Sequence, residues 1–295
     1  MRQTLSPVTF SMRQHAVLRN RCVLRYNFCS MLKLEHISKT FNPGAVTEKR
    51  ALTEINFHLK PQDFVTVIGG NGAGKSTLLN VIAGVFQPDS GSVLIQGSDV
   101  TKYKEHERAK FLGRVFQDPL MGSAADMEIE ENLALADRRG KRRGLKWGIT
   151  AKERALFAEK LSKLDLGLET RLHSKVGLLS GGQRQALTLL MATIQKPLVL
   201  LLDEHTAALD PKTAAKVLEL TETFVREGAL SAFMVTHNMR NALQYGNRLI
   251  MMNSGSIVFD VEGEAKKKLT VDDLLKKFHS ASGSELTNDR MLLDN

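Results

Sequence analysis

The 295-residue chain has 41 Lys+Arg against 32 Asp+Glu, a net charge of +9, with 42 % hydrophobic residues and two cysteines. That length supports one large or two modest domains with a substantial core, and the longest apolar runs, such as 198–202, are far too short to cross a bilayer. Both cysteines precede residue 30, which excludes a disulfide framework and fits a reducing compartment.

Residues 1–30 hold Arg2, Arg13, Arg19, Arg21 and Arg25 and no acidic residue, so the rest of the chain is near +4, mild for a nucleic-acid binder. The segment lacks a helical or strand period and a signal-peptide core. It reads as a disordered leader of transit type or, by preference, as sequence upstream of a true start at Met31. The stretch 32–38 alternates, with Leu32, Leu34 and His36 on one face, and reads as an edge-type strand. Residues 39–44 read as a turn carrying Phe41, and 52–60 as a strand with Leu52, Ile55, Phe57 and Leu59 inside. The apolar run 64–68 reads as a buried strand, followed by Gly69-Gly70-Asn71-Gly72-Ala73-Gly74-Lys75-Ser76 and then a helix from Thr77 to about Gly84. Short strands follow at 92–96 and 111–116, the second ending at Gln117 before Asp118-Pro119.

The 120–180 region is mostly helical and reads as an inserted subdomain: a helix at 128–136, a basic loop at 138–146, and a capping-box helix start at Thr150 with Glu153. Beyond it, Ser180-Gly181-Gly182-Gln183 opens a helix, 198–202 is a fully apolar strand ending in Asp203-Glu204, and 211–227 is a helix. The strand 231–235 ends at Thr236-His237, and 248–252 and 256–260 form a hairpin about Asn253-Ser254-Gly255. A last amphipathic helix covers 270–278, with a polar, fraying tail after it.

A strand, a glycine-rich loop and a helix in that order form a phosphate-binding loop. Its glycines let the backbone approach a triphosphate, its amides and the helix N-terminus face phosphate oxygens, Lys75 neutralises the β- and γ-phosphates, and Ser76 ligates Mg²⁺. Four apolar strands end at Gly69, Gln117, Asp203-Glu204 and His237, which a parallel sheet would gather on one rim. There Asp203 would support the metal, Glu204 polarise an attacking water, His237 orient it, and Gln117 reach either.

Leu179-Ser180-Gly181-Gly182-Gln183 resembles the signature of the ABC transporter ATPases, and the resemblance spans about 31–260. It implies an α/β fold: a P-loop NTPase of ABC type with a mixed core sheet, an N-terminal antiparallel β part and the helical subdomain. The segment 261–295 is left as a C-terminal helix and tail. The resemblance makes Gln117 the Q-loop residue and metal ligand, Asp203 the metal carboxylate with Ser76, and Glu204 the catalytic base. His237 is then the switch histidine, Asp210 the D-loop acid, and Phe41 the aromatic that stacks on adenine. ATP contacts fall to Phe41, Gly69, Gly70, Asn71, Gly72, Ala73, Gly74, Lys75, Ser76 and Thr77, and across a head-to-tail homodimer to Ser180, Gly181, Gly182, Gln183 and Asp210. Glu204, His237, Gln117 and Lys75 carry the chemistry.

His205 stands where the family often has proline, Asn238 where aspartate is frequent, and Gln62 where glycine is usual. The stretches 121–127, 203–210 and 288–293 resemble ATPase components of bacterial uptake systems. The expectation is an ATP- and Mg²⁺-dependent ATPase, cytoplasmic and peripheral on the inner membrane face, powering separate permease subunits supplied by an extracytoplasmic substrate-binding protein. A small solute such as an amino acid is the expected cargo and nucleic acid is not an expected partner. An exporter subunit and a soluble cassette acting on nucleic acid or the ribosome are the alternatives.

Overall fold

The computed structural model describes residues 30–141 and 148–282. The leader, residues 142–147 of the basic loop and the terminal tail lie outside the described residues. In chain order the elements are β1 (Leu32–Phe41), β2 (Lys49–Leu59), β3 (Phe64–Ile68), α1 (Lys75–Ala83), β4 (Ser90–Ile95), β5 (Ser98–Asp99), α2 (Glu105–Arg108) and β6 (Leu112–Val115). There follow α3 (Ile129–Asp137), α4 (Ala151–Ser162), α5 (Gly181–Thr193), β7 (Val199–Asp203), α6 (Pro211–Gly228) and β8 (Ser231–Val235). The last are α7 (Met239–Gln244), β9 (Arg248–Asn253), β10 (Ser256–Glu262), α8 (Gly263–Lys267) and α9 (Val271–Ser282). No described helix is long and apolar enough to cross a membrane.

Two sheets organise the chain. One runs β2-β1-β4-β5, all antiparallel; the other runs β10-β9-β3-β8-β7-β6, parallel except for β10 at its edge. The fold is thus the α/β, mixed-sheet cassette that the motifs imply. The apolar runs have a simple cause: the central sheet is covered on both faces, so successive residues point into different cores. Val65, Val67, Val199, Leu201, Phe233 and Val235 pack with α1 and the antiparallel sheet. Their neighbours Phe64, Leu200, Leu202, Ala232 and Met234 pack beneath α3, α4, α5 and α6. A third cluster joins Ile68, Leu249 and Met251 to Met239, Leu274 and Phe278 of the last helices.

The first strand departs from its expected reading. β1 lies between β2 and β4 rather than at an edge. Its alternation breaks because Leu34 pairs with Phe57 but Ile37 pairs with Ile55, three residues against two, a β-bulge. His36, at φ +50, is thrown outward and Ile37 turns into the core. The strand also continues to Phe41, so the turn begins at Asn42 and not Lys39. Between β6 and β7 the chain is built mainly of α3, α4, α5 and two short 3-10 turns. The predicted capping box forms between Thr150 and Glu153 on α4, and a second, between Ser180 and Gln183, opens α5.

Candidate functional site

Because β3, β8, β7 and β6 are adjacent and parallel, their C-terminal ends fall on one rim. β3 delivers the glycine-rich loop to α1. Gly74, at φ +99, precedes the helix, and a Cβ there would stand 2.6 Å from Ala51 O. At Gly69 an added Cβ would lie 2.3 Å from Met252 O. No larger residue fits either position, so the turn is as tight as a phosphate cradle requires. Lys75 is 5 % exposed, and its Nζ donates to Gly69 O at 2.7 Å and Gly70 O at 3.2 Å. Burial lowers its pKa, opposed by the nearby carboxylates of Glu204 and Asp203.

Asn71, Gly72, Ala73, Gly74, Lys75, Ser76 and Thr77 line a cleft of ≈ 300 Å³ with Lys49, Ala51, Glu204 and His237. The Glu204 carboxylate, 9 % exposed, contacts His237 Nε2. Glu204 sits at φ +45, a left-handed conformation uncommon for a glutamate. An adjoining cleft holds Asp203 and Gln117 with Arg114, Asn80 and Glu105. Burial raises the pKa of Asp203, with Arg114 pulling the other way. Arg114 Nη2 lies 3.8 Å from Asp203 and 2.7 Å from Asn80 Oδ1, and its guanidinium stacks 4.5 Å from the Phe116 ring. Strand β6 therefore brings a cation to the carboxylate of β7, which sequence reading missed. Lys49 was also missed.

The remaining site residues lie elsewhere. Phe41 does not line the phosphate cleft, but it pairs across β2 with Lys49, which does, and it stacks edge-on against Phe86 at 5.2 Å. Ser180 caps α5 with its side chain exposed: Oγ accepts from Gln183 N at 3.3 Å and Gln183 Oε1 accepts from Ser180 N at 3.2 Å. Gly182 is buried, and a Cβ on it would stand 2.0 Å from Thr213 Cγ2, so glycine is what lets α5 approach α6. Asp210 caps α6, its Oδ1 accepting from Thr213 N at 3.1 Å, and hydrogen bonds from the side chain and then the backbone of Thr213 lower its pKa. None of 180–183 lines the cleft of Lys75.

The donor set fits a nucleoside triphosphate with a hard cation. The loop offers amides, a buried ammonium and no space for side chains at Gly69 and Gly74. Ser76, Asp203 and Gln117 offer oxygen donors, the kind that magnesium takes.

The family model for the ABC transporter matches residues 52–207. The chain is similar to a tyrosine transport ATP-binding protein of Clostridioides difficile, 44 % identical over 252 residues, covering 85 % of this chain and all of that one. It is 31 % identical to a phosphonates import ATP-binding protein of Lactococcus lactis, covering 84 % of this chain and 99 % of the relative. It is 32 % identical to a macrolide export ATP-binding/permease protein of Campylobacter fetus, covering 78 % of this chain and 34 % of that longer protein. Among solved structures, the ADP conformation of the cassette MJ1267 superposes with a TM-score of 0.70 at 27 % identity, covering 84 % and 98 % of the two chains. The dimeric post-hydrolysis cassette MJ0796 bound to ADP and phosphate does so at 0.67 and 30 %, covering 79 % and 98 %. The chain belongs to the ABC transporter family, as an ATP-binding, ATP-hydrolysing subunit of a transporter.

Proposed function

We propose that the chain is the ATPase subunit of a bacterial importer for a small solute of amino-acid type, working as a homodimer against separate permease subunits on the cytoplasmic face of the membrane. An extracytoplasmic binding protein would deliver the solute. The likeness to a tyrosine transport protein, over that protein's whole length, supports the cargo, and the likeness to a phosphonates import protein supports the direction. Export is the second reading, supported by the likeness to a macrolide exporter.

One observation carries the dimer. Ser180, Gly181, Gly182 and Gln183 lie outside the cleft that Lys75 lines, and Ser180 is exposed with its Oγ already accepting from Gln183 N. Its hydroxyl proton is available to an acceptor beyond the chain. A second copy, facing head to tail, would place that hydroxyl and the adjoining amides on the γ-phosphate held by the first.

In such a site Lys75 binds the β- and γ-phosphates and the loop amides orient them. Ser76, Asp203 and Gln117 would hold Mg²⁺, which supplies charge neutralisation of the phosphates. Glu204 accepts the proton of the attacking water, and His237, in contact with its carboxylate, keeps that carboxylate aimed at the water and the γ-phosphate. Phe41, paired across the sheet with Lys49 of the cleft, would offer the aromatic face for the base.

A groove of ≈ 530 Å³ between the central sheet and the helices above it has a mixed wall that suits a permease segment. Met121 and Leu135 stand 71 % and 42 % exposed in it, and Arg138, Arg139 and Lys141 also line it.

Cysteines placed beside Lys75 and beside Ser180 test the dimer. ATP should drive crosslinking between chains; crosslinking confined to single chains would overturn the shared site. Co-purifying the permease and screening the binding protein against amino acids tests cargo and direction.

A further inference from the structure

His205 follows Glu204 directly and yet is only 2 % exposed. Its Nε2 lies 3.0 Å from Thr221 Oγ1, in the middle of α6. Thr221 is fully buried, and its hydroxyl donates to Val217 O at 2.8 Å. That commits the hydroxyl's single proton, so the ring nitrogen must be the donor. Nε2 therefore carries a proton and, with burial holding the ring's pKa down at about 4, the imidazole at neutral pH is the Nε2–H tautomer.

The turn that contains it has to hold a strained residue. Glu204 sits at φ +45, where a side chain is disfavoured, and such a conformation persists only if its surroundings impose it. Glu204 N donates to Val235 O at 3.1 Å, Ala207 N returns to Glu204 O at 2.9 Å, and Leu209 N to Thr206 O at 3.2 Å. Those bonds tie the turn to β8 and to itself. The tie to α6 comes from Asp210 at the helix N-terminus and, two turns or more deeper, from His205.

We propose that His205, by donating from Nε2 to Thr221, is a positioning residue that locks the turn after β7 onto α6 and so holds Glu204 with its carboxylate aimed at the attacking water. This rests on the reading of Glu204 as the base. The ring itself touches no reacting atom. Its effect should fall on the rate of the bond-breaking step and leave ATP affinity, set by the loop from Gly69 to Thr77, unchanged.

The experiment uses the full chain with His205→Ala, His205→Gln and Thr221→Val, each also combined with Glu204→Gln. It reads ATPase kcat and KM, the Kd of a fluorescent ATP analogue, and Tm. His205→Ala and Thr221→Val should lower kcat by about 10-fold or more, the order expected when a reacting group is displaced, with Kd within about twofold. His205→Gln keeps an N–H where Nε2–H stood and should recover most of the rate. In the Glu204→Gln background the second substitution should remove nothing further, because the group it positions is gone. A folded His205→Ala enzyme with an unchanged kcat overturns the proposal, as does a fall in kcat and affinity together or an additive loss in the Glu204→Gln background. If His205→Ala does not fold, Thr221→Val decides by the same criteria. A near-normal rate for Glu204→Gln alone would instead refute the base assignment.

Discussion

The buried imidazole of His205 makes stability depend on pH in a way that can be isolated. Its folded pKa is about 4, against an ordinary value of 6.5, and the cause is burial. The folded pKa lies below the unfolded one, so the unfolded chain takes up the proton first. Above pH 6.5 the ring is neutral in both states and its full contribution is present. As pH falls through the window from 6.5 to 4, stability is lost at about 1.4 kcal/mol per pH unit and levels off below it, a total near 3 kcal/mol. Urea titrations of the full chain at several values between pH 8 and pH 4.5 check this, with His205→Gln as the comparison. Other groups titrate over the same range, but they are common to both proteins and cancel in the difference. At pH 5.5 the difference between wild type and His205→Gln should have moved by about 1.4 kcal/mol from its value at pH 8, against the wild type. A difference flat across that window would mean that the ring titrates as freely in the fold as out of it, and would refute its being held neutral by burial.

Glu204→Gln should bind ATP normally, hydrolyse it at least ~100-fold more slowly, and accumulate as an ATP-bound dimer by gel filtration. Arg108 is fully buried and donates to four carbonyls, Tyr103 O at 3.1 Å, Val81 O at 2.7 Å, Ile82 O at 2.9 Å and Thr101 O at 2.8 Å. It satisfies the last turn of α1, so Arg108→Ala should cost at least about 3 kcal/mol in urea denaturation. The Phe278 ring of α9 lies 3.3 Å from where a Gly70 Cβ would be, and Gly70 O accepts from Lys75. Phe278→Ala should lose about 3–5 kcal/mol of stability and weaken ATP binding, while Phe278→Leu keeps most of both.

Sequence alone made legible whatever repeats along the chain. The apolar runs 64–68, 198–202 and 231–235 are unbroken because both sheet faces are covered, and each became a central strand. The Thr150–Glu153 capping box is local and formed as read. The bulge at His36 escaped because alternation fails there by a single residue, and nothing nearby marks which side wins. The neighbouring pattern in β2, Leu52 then Ile55, carried the same three-residue step, and the two steps read together point to paired irregular strands. Arg114 escaped for another reason. Its partners Asn80 and Asp203 are set by tertiary placement, and only its stack on Phe116, two residues on along the same face, was visible in the chain.

The same distinction explains why the rim could be foreseen and its clefts could not. Gly69, Gln117, Glu204 and His237 are scattered over the sequence, yet each stands within two residues of the end of an apolar run, and parallel pairing requires such ends to meet. Strand order then decides which end faces which. Because β8 lies between β3 and β7, His237 and Glu204 fall beside the loop of Lys75, whereas β6 at the far edge carries Gln117 into the adjoining cleft with Asp203. Asp203 and Glu204 are adjacent in sequence, but the φ +45 turn at Glu204 parts them, sending one carboxylate toward Arg114 and the other toward His237. The separation of the two carboxylates thus depends on a backbone conformation that glutamate disfavours. The bond from Glu204 N to Val235 O ties that conformation to β8, and the proposed lock of His205 onto α6 is its counterpart on the other side of the turn.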